Sequence, residues 1–257
     1  MREKLVLVGN GMAGMRTVEE LLKIAPDMYD ITVFGAEPYG NYNRILLSPV
    51  LAGDKTIDEI MLNDEQWYVD NNITLHKGKL ITEIDRRSKI VKADDGTEVA
   101  YDRLLLATGS NPFIIPVPGS DLSGVISFRD IHDVDTMLDA SKQHKHAVVI
   151  GGGLLGLEAA NGLMLQGMHV TVVHLSDTLM DRQMDTVSGG MLKKSLEERG
   201  LNFLMGANTE AILGEDHVKG VRFKDGLEVA ADLVVMAVGI RPNIELAEKI
   251  GLHCERG

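Results

Sequence analysis

Two glycine-rich stretches hold the residue types and spacing in this chain that could do chemistry. In VVIGGGLLGLE, Val148 to Glu158, an apolar run able to form a buried strand meets Gly151, Gly153 and Gly156 in G-x-G-x-x-G spacing, just before a helix-forming segment. Far upstream, LVLVGNGMAG places Gly9, Gly11 and Gly14 in the same spacing after the same kind of strand. In such a strand–turn–helix the backbone amides and the positive helix end face one point, and glycine lets a pyrophosphate approach closely. One such motif is weak evidence. Two in one chain predict two dinucleotide sites.

The elements that must position these loops follow from periodicity. Leu5 to Val8 predicts a buried parallel strand, Met12 to Ile24 its crossover helix ending before Ala25-Pro26, and Ile31 to Phe34 the next strand. Glu37 follows, roughly twenty residues past the last glycine, where an acid can accept hydrogen bonds from ribose hydroxyls. A short helix through Leu51, a mostly helical stretch from Thr56 to Asn72, and strands at Ile73 to Leu75, Lys79 to Ile84, Lys89 to Ala93 and Leu104 to Ala107 come next. Asp94-Asp95-Gly96 is a hairpin turn signal. The proline-bearing stretch Asn111 to Gly119 is the most linker-like. Beyond it a helix at Ile131 to Gln143 precedes the second unit: strand Ala147 to Ile150, a helix ending near Gln166-Gly167, strand His169 to His174, and an amphipathic helix from Asp185 to Arg199 closed by Gly200. Asp95-Gly96 through Gly109 and Pro112 is echoed by Asp225-Gly226 through Gly239 and Pro242, so both halves carry a βαβ unit, a hairpin and a returning strand. The expected fold is α/β: two Rossmann-like three-layer nucleotide-binding domains, each with a β-meander insertion, spanning 1–114 and 115–243, with 244–257 starting a return to the first.

Composition narrows the function. With 38 acidic against 26 basic residues the net charge is −12, which argues against nucleic-acid or anionic-membrane partners. No apolar run approaches a membrane span. The only cysteine is Cys254, which removes intrachain disulfides and cysteine metal quartets and fits a reducing cytoplasm. His144 and His146 lie in a polar turn and are read as solvated rather than as metal ligands, so no metal site is expected.

The paired loops, the Ala107-Thr108-Gly109 turn and the turn from Ala237 through Gly239, Arg241 and Pro242 to Asn243 together resemble the FAD- and NAD(P)-dependent pyridine-nucleotide oxidoreductases, in their rubredoxin- and ferredoxin-reductase-like branch. The stretches Glu37 to Gly53 and Val172 to Asp185 look like the N-terminal flavin module of the NAD(P)H nitrite reductase large subunit. The resemblance implies FAD on the first unit, with Gly9, Gly11, Met12, Ala13 and Gly14 at its pyrophosphate, Glu37 at its ribose, Arg44 near pyrophosphate and flavin, and Ile81 at the adenosine. Ala107, Thr108 and Gly109 would form the crossing beside it, and Arg129 would reach it. Arg44 as a solvated loop cation and Arg129 as a surface ion pair stand as alternatives. The second unit would take NADH or NADPH, with Gly151, Gly153, Leu154, Leu155 and Gly156 at the pyrophosphate and Gly239 along the nicotinamide. Glu158, read as a first-turn residue, is matched by the glutamate beside flavin and nicotinamide. A helix-dipole role is its alternative.

The chain departs from that pattern at several points. No cysteine lies between Glu37 and Gly53, so electrons reaching the flavin would leave for an external or downstream acceptor, an iron–sulfur or siroheme domain or a small redox protein. Pro49 stands after Ser48 where relatives have lysine, so Glu158 is expected to lack that partner. His174 stands where an acid would bind the ribose 2′-hydroxyl, with no arginine at the next three positions to bind a 2′-phosphate. The chain stops before the expected return strand of the FAD domain, which predicts a fragment, and it holds no siroheme or iron–sulfur ligand set. The expected function is hydride transfer from NAD(P)H to FAD with electrons passed onward, as in assimilatory nitrite reductase. A stand-alone rubredoxin or ferredoxin reductase, and a nucleotide-binding module without turnover, are the alternatives.

Overall fold

Residues 2–255 are described in a computed structural model. In chain order the first elements are β1 (Glu3–Val8), α1 (Met12–Ile24), β2 (Tyr29–Gly35), α2 (Leu47–Ala52), α3 (Ile57–Ile60), α4 (Glu65–Asp70), β3 (Ile73–Lys77), β4 (Ile81–Asp85), β5 (Ile90–Ala93), β6 (Glu98–Ala100), β7 (Arg103–Leu106) and β8 (Ser110–Pro112). There follow β9 (Val125–Ser127), α5 (Ile131–Gln143), β10 (His146–Ile150), α6 (Leu154–Leu165), β11 (His169–Val173), α7 (Thr186–Glu198), β12 (Asn202–Leu204), β13 (Thr209–Gly214), β14 (Val218–Phe223), β15 (Glu228–Ala230), β16 (Leu233–Met236), β17 (Ile240–Pro242) and α8 (Glu245–Lys249). They fall into two compact units. One takes the residues up to Arg44, Asp58–Asn111 and those from Arg241 on; the other takes Ile45–Ile57 and Pro112–Ile240.

In the first unit a parallel sheet runs β3-β2-β1-β7, with Leu5 opposite Ile31 on one side and Arg103 on the other. Side chains alternate across a strand. Leu5 and Leu7 therefore pack with Met15 and Val18 of α1, while Val6 and Val8 pack with Ile81, Ile84 and Val91 of the β4-β5-β6 meander. Burial on both faces is why β1 is a near-continuous apolar run. The Asp94-Asp95-Gly96 signal does turn β5 into β6, with Gly96 at φ +87°. The helix expected from Thr56 to Asn72 is broken. Met61 bridges to Tyr42, the amides of Leu62 and Asn63 donate to Asn41 O, and Asp64 restarts a helix by capping Trp67 N at 2.8 Å.

The second unit repeats this architecture with a five-stranded parallel sheet, β12-β11-β10-β16-β9. Val148, Ile150, Val234 and Met236 face Ile212, Val221 and Phe223 of the β13-β14-β15 meander, and α6 covers the other face. Both units are thus three-layer α/β assemblies of the expected class. The segment Ile45–Ile57 belongs here because α2 packs on α5 and α6. The apolar face expected of α7 is only partly used: Gly189 is buried against Thr178 and Leu179, while Val187 and Met191 are exposed.

Candidate functional site

Each glycine loop divides its labour among three positions. Gly9 sits at φ +113°, where a Cβ would lie 2.0 Å from Ala107 O, and a Cβ on Gly14 would come within 2.9 Å of Gly9 O. These two glycines close the turn and seat α1 on the sheet. Gly11 is different: its backbone is extended and a Cβ there would meet nothing within 4 Å. The second loop repeats all three, with Gly151 (φ +126°) 2.2 Å from Ala237 O, Gly156 1.9 Å from Gly151 O, and Gly153 open. The bond from Met15 N to Gly11 O begins α1, and that from Leu157 N to Gly153 O begins α6. The amides before them belong to the unpaired first turn of each helix. Open space over such a turn, reached past a residue with no side chain, fits a pyrophosphate in both units. Leu154 and Leu155, 57% and 43% exposed, flank the second turn.

In the first unit the loop is braced by a polar chain that sequence reasoning missed. Tyr68 Oη donates to Asn10 Oδ1 at 2.8 Å and accepts from Asn41 N at 3.2 Å, and Asn41 Nδ2 donates to Asn63 Oδ1 at 2.8 Å. Burial raises the Tyr68 phenol above its ordinary pKa, which keeps it a donor. Asn41 is 2% exposed, and its Oδ1 has no partner among the described residues. Glu37 follows the end of β2 as expected, accepting from Tyr42 Oη at 2.6 Å and pairing with Arg44, whose guanidinium lies 4.8 Å from the Tyr42 ring centre. The fold therefore brings together two residues that sequence reasoning had placed separately. Ile81 is buried at the start of β4. The Ala107-Thr108-Gly109 turn is clasped by Asn243: Thr108 Oγ1 donates to Asn243 O at 2.7 Å, Asn243 Nδ2 returns a bond to Thr108 O at 2.9 Å, and Asn243 N reaches Gly109 O.

In the second unit His174 follows β11, and its Nδ1 accepts from Gly152 N at 3.1 Å. The ring proton then lies on Nε2, 3.5 Å from Asp181 Oδ1 but not in hydrogen-bonding alignment. An acid thus stands near the strand end after all, supplied by Asp181 from the following loop. Glu158 is the fifth residue of α6, past the first turn, which weakens the helix-dipole reading. It also has a partner the sequence did not disclose: Ser48 Oγ donates to Glu158 Oε2 at 2.6 Å. Gly239, at φ +122° with open space where its Cβ would be, accepts from Phe113 N at 2.9 Å. Arg129 is set by Asp133, whose Oδ2 accepts from Arg129 N at 2.6 Å and from Ser127 Oγ at 2.9 Å. Burial, then the Asp130 carboxylate nearby, raises the Asp133 pKa. Among the described residues no group of three or more His, Cys, Asp or Glu could hold a metal ion, and no helix is long and apolar enough to cross a membrane.

Comparison with known proteins follows this geometry. Residues 3–257 match the family described as pyridine nucleotide-disulphide oxidoreductase. The chain is 56% identical over its whole length to a nitrite reductase [NAD(P)H] of Bacillus subtilis (strain 168), covering 32% of that protein. It is 46% identical to the assimilatory nitrate reductase electron transfer subunit of the same organism, covering all of this chain and 33% of that one. Among solved structures, a ferredoxin reductase from Rhodopseudomonas palustris superposes with a TM-score of 0.93 at 28% identity, over all of this chain and 63% of the other. The chain thus spans about a third of the length of these curated relatives.

Proposed function

The chain belongs to the pyridine nucleotide-disulphide oxidoreductase family, and from that premise we propose that it is the electron-entry module of an NAD(P)H-dependent flavoprotein. In this reading it takes hydride from a reduced nicotinamide and sends electrons to an acceptor outside the chain. The observation that carries the reading is the pair of matched cradles, each with an open glycine, Gly11 or Gly153, over an unpaired helix N-terminus. FAD, bound on the first unit, would supply the chemistry of accepting two electrons together and releasing them onward.

The chain's own residues bind and orient. Gly9, Gly11, Met12, Ala13 and Gly14 hold the flavin nucleotide's pyrophosphate on amides. Glu37 accepts from ribose hydroxyls, Arg44 supplies positive charge beside it, and Ile81, Ala107, Thr108, Gly109 and Arg129 complete the surround. Gly151, Gly153, Leu154, Leu155 and Gly156 hold the nicotinamide nucleotide's pyrophosphate, and Gly239 lines its ring. His174 braces the loop, and Asp181 beside it disfavours a 2′-phosphate, so NADH is the preferred donor over NADPH. Glu158 is the polar group nearest the hydride path.

Relatives named as nitrite reductase and as an electron transfer subunit support onward transfer of electrons; the acceptor in this reading is a downstream iron–sulfur or siroheme domain, and the single cysteine, Cys254, fits a cytoplasmic setting. The likeness to a ferredoxin reductase supports a small redox protein as the second reading. Anaerobic rapid mixing of the FAD-loaded full-length protein with NADH tests the proposal. Bleaching of the flavin band is expected, faster with NADH than with NADPH, and a flavin that neither donor bleaches overturns it.

A further inference from the structure

The two glycine loops fill one space from opposite sides. Their backbones correspond residue for residue: Gly9 N donates to Phe34 O and Lys79 N to Gly35 O in the first unit, and Gly151 N donates to Val173 O and Ala207 N to His174 O in the second. Asn10 therefore matches Gly152, and Gly35 matches His174. A Cβ on Gly35 would lie 2.9 Å from Asn10 Cβ, and a Cβ on Gly152 would lie 2.7 Å from Leu179 Cδ2 and 2.8 Å from His174 Cγ. Neither glycine has a left-handed backbone. Each leaves room for the side chain at the opposite position, which fills the gap between loop and strand end. In the first unit that side chain comes from the loop: Asn10 Nδ2 donates to Tyr39 O at 3.3 Å, and Tyr68 Oη donates to Asn10 Oδ1 at 2.8 Å. In the second it comes from the strand end, and His174 Nδ1 accepts from Gly152 N at 3.1 Å.

An amide side chain does not titrate and an imidazole does, so the exchange makes the two cradles chemically unlike. We propose that His174 is an acid-sensitive positioning residue for the second cradle: neutral, it holds Gly152 in the shape that takes a nucleotide pyrophosphate, and protonated, it releases it. The inference rests on the reading of the second unit as a nicotinamide-nucleotide site. Gly152 lies between Gly151, which closes the turn, and Gly153, which opens over the start of α6, so its freedom is the freedom of the cradle. The bond from Gly152 needs a bare Nδ1. A proton there sets two N–H groups against each other, and the bond is lost. Asp181 Oδ1 stands 3.5 Å from Nε2 and is the one charged side chain within ion-pair distance of the ring among the described residues. Asp177, on the same loop, lies instead by Gly206, where its Oδ1 would be 2.9 Å from a Cβ. The glycine loop, β12 and the residues after it hydrogen-bond His174 through backbone alone, by Gly152 N, Leu204 O and Ala207 N. A neutral ring is thus held by Gly152, and an imidazolium is drawn to Asp181. The first cradle has no such switch, since Asn10 cannot titrate and the Tyr68 phenol, its pKa raised by burial, stays protonated as pH falls.

Calorimetry of the FAD-loaded protein with ADP-ribose, which carries the pyrophosphate and lacks the nicotinamide, tests this between about pH 5 and pH 8, the range over which imidazoles change charge. ADP-ribose is expected to bind wild type about ten-fold more weakly at the acid end. His174→Asn puts Oδ1 in place of Nδ1 as an acceptor and cannot be protonated, so its two affinities should match, whatever their absolute value. In wild type the nuclear magnetic resonance of the Gly152 amide should move over the same range in step with affinity, a readout that needs no variant. An affinity that is flat with pH in wild type overturns the proposal and leaves the nucleotide site standing, and so does one that rises in acid, as it would if the imidazolium bound the pyrophosphate directly. A loss that survives His174→Asn, or a Gly152 resonance that stays put, also overturns it. A wild type that binds no ADP-ribose at the alkaline end overturns the site and the proposal with it.

Discussion

A methyl group would meet very different surroundings at neighbouring glycines of one loop, which separates glycines that hold the fold from those that leave open space over a helix N-terminus. At Gly151 it would meet Ala237 O at 2.2 Å, from a backbone at φ +126°, whereas at Gly153 it would meet nothing in an extended backbone. Gly151→Ala is therefore expected to destabilise the chain by about 2–4 kcal/mol, combining overlap and backbone strain. Gly153→Ala should leave the urea midpoint where it is and weaken NADH binding. Equal midpoints for the two variants would contradict this division. The glycine spacing made the strand–turn–helix legible in the sequence, because each glycine answers a local backbone demand, but the difference between Gly151 and Gly153 shows only in the surroundings of each. His174 was legible only as a departure. That its Nδ1 braces Gly152, and that Asp181 stands near its Nε2, depend on side-chain directions that a one-dimensional pattern does not carry. His174→Ala would strand the Gly152 amide in a partly buried turn, at a cost of about 1–3 kcal/mol, read as a lowered unfolding midpoint with ADP-ribose binding weakened as well. An unchanged midpoint would show that water replaces the imidazole.

At the scale of elements, the starts of α5 and α7 were readable, and a side chain caps each. Asp130 caps α5 through Asp133 N at 2.9 Å, and Asp185 caps α7 through Ser188 N at 2.7 Å, a bond that also holds the Asp185 carboxyl below its ordinary pKa. The break between α3 and α4 was not readable, because it is made by Asn41 and Tyr42, which come from an earlier stretch of chain and satisfy the backbone there. Asp133 has a pH signature of its own. Its folded pKa is raised, by burial first and Asp130 second, above an unfolded value of about 3.9. The folded state thus favours the protonated acid, and the resulting contribution to stability is full below about pH 4 and lost as pH rises through the folded pKa. Asp133→Asn keeps an oxygen to accept from Arg129 N and Ser127 Oγ but cannot ionise. Relative to wild type it should gain stability between pH 4 and pH 7. A difference in urea midpoint that stays constant over that range would mean Asp133 is not strained by ionisation.

Across the whole molecule, duplication is what made so much legible from one sequence. The repeat reaches detail that no motif names: Asp102 Oδ2 accepts from Lys4 N at 2.8 Å in the first unit, and Asp232 Oδ2 accepts from Lys145 N and His146 N in the second. Where the repeat fails, the element was legible but its placement was not: the short helix through Leu51 is present as α2, but what it packs on could not be read. Ile45–Ile57 has no counterpart in the second half, and its place on α6 depends on Leu51, Gly162 and Gln166 meeting across more than a hundred residues of chain. The repeat also makes the two-site reading separable by experiment. Gly11 and Gly153 both carry extended N-cap backbones, φ −86° and −83°, which a valine adopts without strain, and both would aim its side chain into open space. Gly11→Val in the full-length protein should therefore yield folded, colourless material that still binds ADP-ribose. Gly153→Val should yield flavin-coloured material whose band NADH no longer bleaches. Each substitution fills one cradle and leaves the other's amides and helix end as they were, so the two losses should not cross over. If either variant loses both ligands while its unfolding midpoint holds, the loops serve one shared site and the assignment of one nucleotide to each unit is wrong.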